Sequence, residues 1–310
     1  MIIDMNQVRL QQKTLRKNFS RIGLALCTMV LSTYAVQILI LLLVRAFAPG
    51  LLGADWFSYL LSAVSQYLVG IPLFLLVMRK LPDFEPAYRK KLRLGEFVPL
   101  LIISMSMMYL SNYITLFLSG LISNAVGHEP TNPLDSLQNS NVLIIFLFAV
   151  VIAPILEEFV FRGVLIRKLR PYGEKFCIFA SGFIFGLFHG NLSQMLYAFV
   201  LGMIFAFVTL RTGTILYAIL LHMSVNLLGS GLPLLAGLAI PPVTLLVSVL
   251  VLGALIAGIV LAVSARKRIH FREPEIPTYG ADMSALLIAN PGMLIFIGLC
   301  LVNAILWWFV

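Results

Sequence analysis

Apolar residues along this chain come in runs about as long as a lipid bilayer is thick. Stretches of 17 or more mostly apolar residues fall near 22–48, 57–78, 97–122, 142–161, 176–191, 194–210, 213–230, 243–265 and 291–310. A helix rises about 1.5 Å per residue and the hydrocarbon core is about 30 Å thick, so each run predicts one crossing. The fold class expected is therefore all-α, a polytopic transmembrane helical bundle of about eight or nine spans. The fifth run is short and the last can lie at the periphery. Four regions follow from the pattern: a basic N-terminal segment over 1–21, N-terminal transmembrane helices over 22–140, a core with polar groups at depth over 141–230, and C-terminal helices over 231–310. The loop at 266–290, with Pro274 and Pro277, is the most linker-like stretch.

Composition removes the soluble alternatives. Hydrophobic residues make up 60% of 310 and charged residues 11%, and the mean hydropathy is +1.00, which is membrane-protein territory. The formal net charge of +9 raises nucleic acid as a partner, but the Lys and Arg residues flank the spans and interleave with no aromatic platform. Attraction to anionic lipid headgroups accounts for them, so the bilayer is the expected partner and nucleic acid is not. Of 22 Lys and Arg residues, all but Arg45 and Arg162 fall on one side of a nine-span zigzag. The positive-inside rule places that side, with the N-terminus, in the cytoplasm, most simply at the plasma membrane. The loops around 123–140 and 231–242 carry no Lys or Arg and go outside. The first span has no convincing cleavage site and reads as an uncleaved anchor, and the polar segment Gln7 to Arg21 is expected to lie on the cytoplasmic surface. Cys27, Cys177 and Cys300 sit in or beside apolar runs without metal-ligand spacing and read as buried fillers.

Against this background the fourth run is anomalous. Glu157 and Glu158 lie inside it, where an unpaired carboxylate costs several kcal/mol, so their presence is by default a statement about function. Glu158 and Arg162 are one turn apart and can form an ion pair that lets both enter the bundle, or can take part in chemistry directly. Glu157 is rotated about 100° from Glu158 around the helix, so the two carboxylates have different surroundings. Two further runs carry polar groups with the same i,i+4 spacing, Phe185 with His189 and His222 with Asn226, each pair on one helix face. Rise per residue puts Glu157 roughly 15 Å, His222 and Asn226 roughly 15–21 Å, and His189 roughly 21 Å from the basic loops, compatible with one cluster. Taken singly, His189 reads as a packing histidine, Phe185 as packing and Asn226 as interhelical glue. Gly182, Gly186 and Gly190 allow a neighbouring helix to approach closely. Packing alone does not explain why the deep ionisable groups concentrate in spans four, five and seven.

The three motifs Glu157-Glu158-x-x-x-Arg162, Phe185-x-x-x-His189 and His222-x-x-x-Asn226, in this order on successive membrane helices, resemble those of the CAAX-protease and bacteriocin-processing family. This is the abortive-infection or type II CAAX prenyl endopeptidase family of intramembrane proteases. The resemblance covers about residues 150–230. It implies a helical-bundle protease with a site opening toward the cytoplasmic leaflet. Glu157 and His189 would activate water, His222 and Asn226 would hold the oxyanion, and Glu158 and Arg162 would be supporting groups. Similar proteins are often labelled metalloproteases, so the cofactor is either none or zinc held by Glu157, His189 and His222. No His-Glu-x-x-His helix is present, and three separate spans would have to supply the ligands. The expected activity is endoproteolysis of a membrane-associated protein or peptide by glutamate- and histidine-activated water. The competing reading is a non-catalytic membrane scaffold or bacteriocin-immunity protein that binds a peptide or a sensor kinase. A proton-coupled transporter finds no support, since no interrupted spans recur in two halves.

Overall fold

The structure, a computed structural model, describes residues 5–85, 89–128 and 141–308. Among the described residues ten α-helices carry the fold: α1 Met5–Phe47, α2 Phe57–Met78, α3 Leu94–Val126, α4 Val142–Tyr172, α5 Glu174–Phe188, α6 Leu192–Thr212, α7 Leu216–Gly237, α8 Pro241–Ala265, α9 Met283–Ile288 and α10 Pro291–Leu306. No strand occurs among the described residues. Seven of these helices are long and apolar enough to cross a membrane, whereas α5 and α10, at 15 and 16 residues, are shorter. Each of the nine apolar runs is thus a helix, and the chain is an integral membrane protein. Of the loop at 123–140, residues 129–140 lie outside the described residues.

Two expectations change. The segment from Gln7 to Arg21 does not lie separately on a surface, because α1 begins at Met5 and continues through it. Leu15 and Phe19 are buried, and the Phe19 ring meets Tyr172 and Phe176 at centroid distances of 5.6 Å. A polar stretch with apolar residues at helical spacing is amphipathic, and its apolar stripe found a partner at the end of α4. The stretch at 266–290 is likewise held down rather than free. Glu275 and Ile276 donate backbone hydrogen bonds to the Pro171 carbonyl at 2.8 and 3.1 Å, and Glu174 donates to the Arg272 carbonyl at 3.2 Å.

The basic loops gather at one end of the bundle. The Asp83 carboxylate accepts two bonds from Arg167, at 3.0 and 2.6 Å, and lies 3.2 Å from the Lys168 ammonium. Partial burial alone would raise the Asp83 pKa, but Lys168 and Arg167 outweigh it and hold the carboxyl below its ordinary range. Glu174 Oε2 accepts from Arg211 and from the Arg272 amide, both at 2.9 Å, and the Lys90 amide donates to the Thr212 carbonyl at 2.9 Å. The segments following α2, α4, α6 and α8 therefore meet, which the alternating path of the spans requires.

Close helix contacts depend on glycine. A Cβ placed on Gly182 or Gly186 of α5 would come within 2.8 Å of the Phe199 oxygen or 2.7 Å of the Met195 oxygen of α6, so these two glycines seat α5 against α6. Gly190, the third of the series, lies past the helix end with φ 59° and turns the chain instead. Gly23 and Gly292 bring α1 and α10 together in the same way, and a Cβ on Gly292 would overlap the Ser20 carbonyl oxygen. Gly292→Ala should therefore destabilise the bundle by about 1–3 kcal/mol through overpacking. Gly298→Ala, on the same helix with nothing within 4 Å of the new carbon, should leave the unfolding midpoint in detergent unchanged or slightly raised.

Candidate active site

The site is built outward from a buried ion pair. Glu158 and Arg162, one turn apart on α4, bond at 2.9 Å between Oε1 and Nη1, with relative exposures of 0% and 1%. Neither would be tolerated alone at that depth, since breaking a buried pair costs about 3–5 kcal/mol. The guanidinium is further held by α6, where Nη2 donates to the Gly202 carbonyl at 3.1 Å. A Cβ on Gly202 would stand 3.3 Å from that Nη2 and 2.9 Å from Gly182 Cα, so glycine is what lets the cation reach the backbone. Phe185 and Phe205 close the cage, with the Arg162 guanidinium 4.3 and 5.3 Å from their ring centroids. Glu158 Oε2 and Arg162 Nε have no hydrogen-bond partner among the described residues.

Glu158 also reaches α7. Its Oε1 lies 3.0 Å from His222 Nδ1, and the His222 ring stacks on Phe205 with centroids 5.0 Å apart. The other ring nitrogen, Nε2, is 4.0 Å from Glu157 Oε2. The two glutamates therefore differ as their rotation around α4 requires: the Glu158 side chain is sealed, while that of Glu157 is 19% exposed and faces a cavity.

That cavity, of about 360 Å³, is where the motif residues meet: Glu157, Phe185, His189, His222 and Asn226 all line it. His189 sits at the end of α5, with Nδ1 2.9 Å from the Phe185 carbonyl. Its turn is pinned by Asn191, whose side chain donates to the His189 carbonyl at 2.8 Å and caps α6 by accepting from the Gln194 amide at 2.9 Å. Asn303 of α10 adds a bond to the Gly190 carbonyl at 3.0 Å. Asn226 donates to the Ala149 carbonyl at 2.9 Å, the interhelical glue that its position suggests. Ala149 needs it because Phe146–Ile152 is a π-helical turn, in which the donor for its carbonyl would be the residue five further on. That residue is Pro154, which has no N–H.

The cavity continues along Ala153 and Ala149 of α4 and along Gly229, Ser230 and Pro233 of α7, away from the basic loops. A separate cavity of about 340 Å³ lies at the basic end, and Arg162 and Gly163 form part of its wall. The Glu158–Arg162 pair stands between the two, so the space beside Glu157 does not run toward the end where the resemblance placed the opening.

Four lining residues escaped the motif reading: Tyr109 and Asn112 of α3, and Gln194 and Tyr197 of α6. The Tyr109 hydroxyl is buried without a partner among the described residues. Both α3 and α6 pairs have i,i+3 spacing, which puts each on one face of an otherwise apolar helix. That spacing was the available signal, but uncharged residues in a span are too common to stand out.

Residues 139–228 match a family model described as Rce1-like, type II CAAX prenyl endopeptidase Rce1-like. The match takes in the segment that carries the three motifs, Glu157 to Asn226. A Bacillus subtilis (strain 168) protein named "Putative membrane peptidase YdiL" is 32% identical over 127 residues, which is 37% of this chain and 50% of that protein. The chain thus spans about half the length of that curated relative. No solved structure matches.

Zinc is the cofactor that family members carrying the metalloprotease label would hold. Among the described residues no three His, Cys, Asp or Glu side chains converge closely enough to hold a metal ion. Glu157, His189 and His222, as placed, therefore do not fit a zinc centre.

The central pair makes a stability prediction. Arg162→Met strands the sealed Glu158 carboxylate and should cost about 3–5 kcal/mol, read from denaturant unfolding in detergent. Replacing both partners by methionine should recover part of that loss, because a buried pair and a well-packed apolar pair are often near equal in stability.

Proposed function

We propose that this chain is an intramembrane endopeptidase that hydrolyses a peptide bond in a membrane-associated protein or peptide. The observation that carries the proposal is the approach of Glu157 Oε2 to His222 Nε2 across 4.0 Å on a cavity lined by apolar helices. A water about 2.8 Å from each atom fits that gap. A carboxylate acting as general base contributes typically about 10²–10⁴-fold. The match of residues 139–228 to the Rce1-like family supports the same reading.

In this mechanism a peptide carbonyl enters the cavity beside Glu157, the carboxylate takes a proton from water, and the resulting hydroxide adds to the carbonyl carbon. The oxyanion needs donors. Asn226 keeps one amide hydrogen after bonding Ala149, and the Tyr109 hydroxyl, without a partner among the described residues, belongs to a residue that lines the same cavity. His189, whose Nδ1 is engaged by the Phe185 carbonyl, turns its other nitrogen to proton transfer. The bond between carbonyl carbon and amide nitrogen then breaks as the nitrogen receives the proton. Each of these steps is written without a metal.

Gathering of the basic loops at one end supports a cytoplasmic N-terminus in the plasma membrane, by the preference of Lys and Arg for the cytoplasmic face. The family name speaks of prenylated CAAX proteins, but prenylation depends on the host, so the proposal covers membrane-associated polypeptides generally. The alternative of a scaffold or immunity protein that binds a peptide or sensor kinase uses the same cavity without cleavage.

Glu157→Gln keeps the side-chain shape and removes the base. Quantitative proteomics of membranes from cells with wild-type and variant protein should reveal at least one precursor that accumulates uncut, its processing slowed about 100-fold or more. Unchanged processing of every membrane protein, with the variant folded and abundant, would refute proteolysis and leave the scaffold.

A further inference from the structure

The hydrogen bonds around His222 determine which of its nitrogens holds the proton, and the resemblance does not address that. Arg162 is always charged and can only donate, so Glu158 Oε1, which accepts from Arg162 Nη1 at 2.9 Å, is an acceptor. The same oxygen lies 3.0 Å from His222 Nδ1. Two acceptors cannot bond each other, so the proton sits on Nδ1. In the neutral ring the lone pair is then on Nε2, the atom that faces Glu157 Oε2 at 4.0 Å. The ring stacks on Phe205 at 5.0 Å and meets Phe185 edge-on at 5.9 Å.

The geometry points to Glu158 as a positioning residue that locks His222 in its Nδ1–H form and so makes His222 Nε2 a proton acceptor in the hydrolysis. The inference deepens the endopeptidase reading and, for its catalytic consequence, rests on it. A neutral histidine protonated on Nδ1 has no hydrogen on Nε2 to give an oxyanion, which removes His222 from the role the resemblance assigns. Instead, Glu157 takes the proton from water as the water oxygen bonds the carbonyl carbon, and that proton passes from the carboxylate to His222 Nε2 across the 4.0 Å gap. The imidazolium formed has its charge balanced by Glu157 on one side and by Glu158 on the other. When the carbon–nitrogen bond breaks, the proton leaves Nε2 for the departing amide nitrogen, and the neutral Nδ1–H ring is restored. Arg162 holds Glu158 Oε1 in place as the acceptor facing His222, which gives the buried pair a function beyond packing.

The tautomer can be measured without a substrate. The full-length chain is labelled with ¹⁵N-histidine, reconstituted in lipid nanodiscs above the imidazole titration range, and examined by long-range ¹H–¹⁵N correlation. His222 is assigned by the signal lost in His222→Gln. The wild type should hold the Nδ1–H form in about tenfold excess or more, as expected for a hydrogen bond to a charged group. In Glu158→Met/Arg162→Met, which removes both charges together and so avoids stranding either, the ratio should fall by about tenfold or more. A wild-type His222 carrying its proton on Nε2 overturns the inference by itself, whether or not the double variant folds. So does a ratio that the double variant leaves unchanged. Neither result bears on whether Glu157→Gln abolishes processing, so failure of the tautomer and failure of the protease reading remain distinguishable.

Discussion

A charge pair sealed inside hydrocarbon is the constraint around which this bundle is arranged. Glu158 and Arg162 belong to one helix, so they bring their attraction with them, but an isolated helix would still leave three of their polar atoms, Glu158 Oε2 and Arg162 Nε and Nη2, without a partner. The rest of the core answers part of that need. Helix α6 offers a backbone carbonyl through Gly202, α7 offers His222, and three phenylalanines cover the guanidinium. Each of these contacts fixes one helix relative to α4, and together they set the positions of the groups on the cavity. The arrangement resembles a keystone more than a catalytic centre, because the pair itself is shut off from the cavity that Glu157 faces.

How much of this was legible in the sequence depends on the range of the interaction. Hydrophobic run length is a local property, and each of the nine runs became a helix. Motif spacing is local too, and i,i+4 pairs shared a face as helical geometry demands. The boundaries erred where a helix continued beyond its apolar stretch, as in α1, whose polar first turns are helical because Leu15 and Phe19 pack on distant Tyr172 and Phe176. Tertiary bonds left less trace. Asn226 is visible as a polar residue in a span, but its partner, the Ala149 carbonyl, is left without its helical donor only because a π-turn runs into Pro154. The tautomer of His222 was likewise beyond reach, since it depends on which nitrogen meets Glu158, a matter of ring orientation.

The direction of the cavity could not be read either, and it bears on selectivity. The family match covers 139–228, which includes Glu157, His189 and His222 of the cavity. The wall opposite them comes from α3, through Met108, Tyr109 and Asn112, outside the matched segment. Gly229 of α7 receives Met108 at van der Waals distance, its sulfur 3.1 Å from where a Cβ would stand, so the two helices meet closely beside the cavity. A chain entering there would have its backbone beside α4 and α7 and its side chains against α3. Under the proposed endopeptidase activity, the groups that move protons and the α3 lining that would meet a client come from different parts of the sequence, and among the described residues none of the hydrogen bonds that hold the buried pair comes from α3.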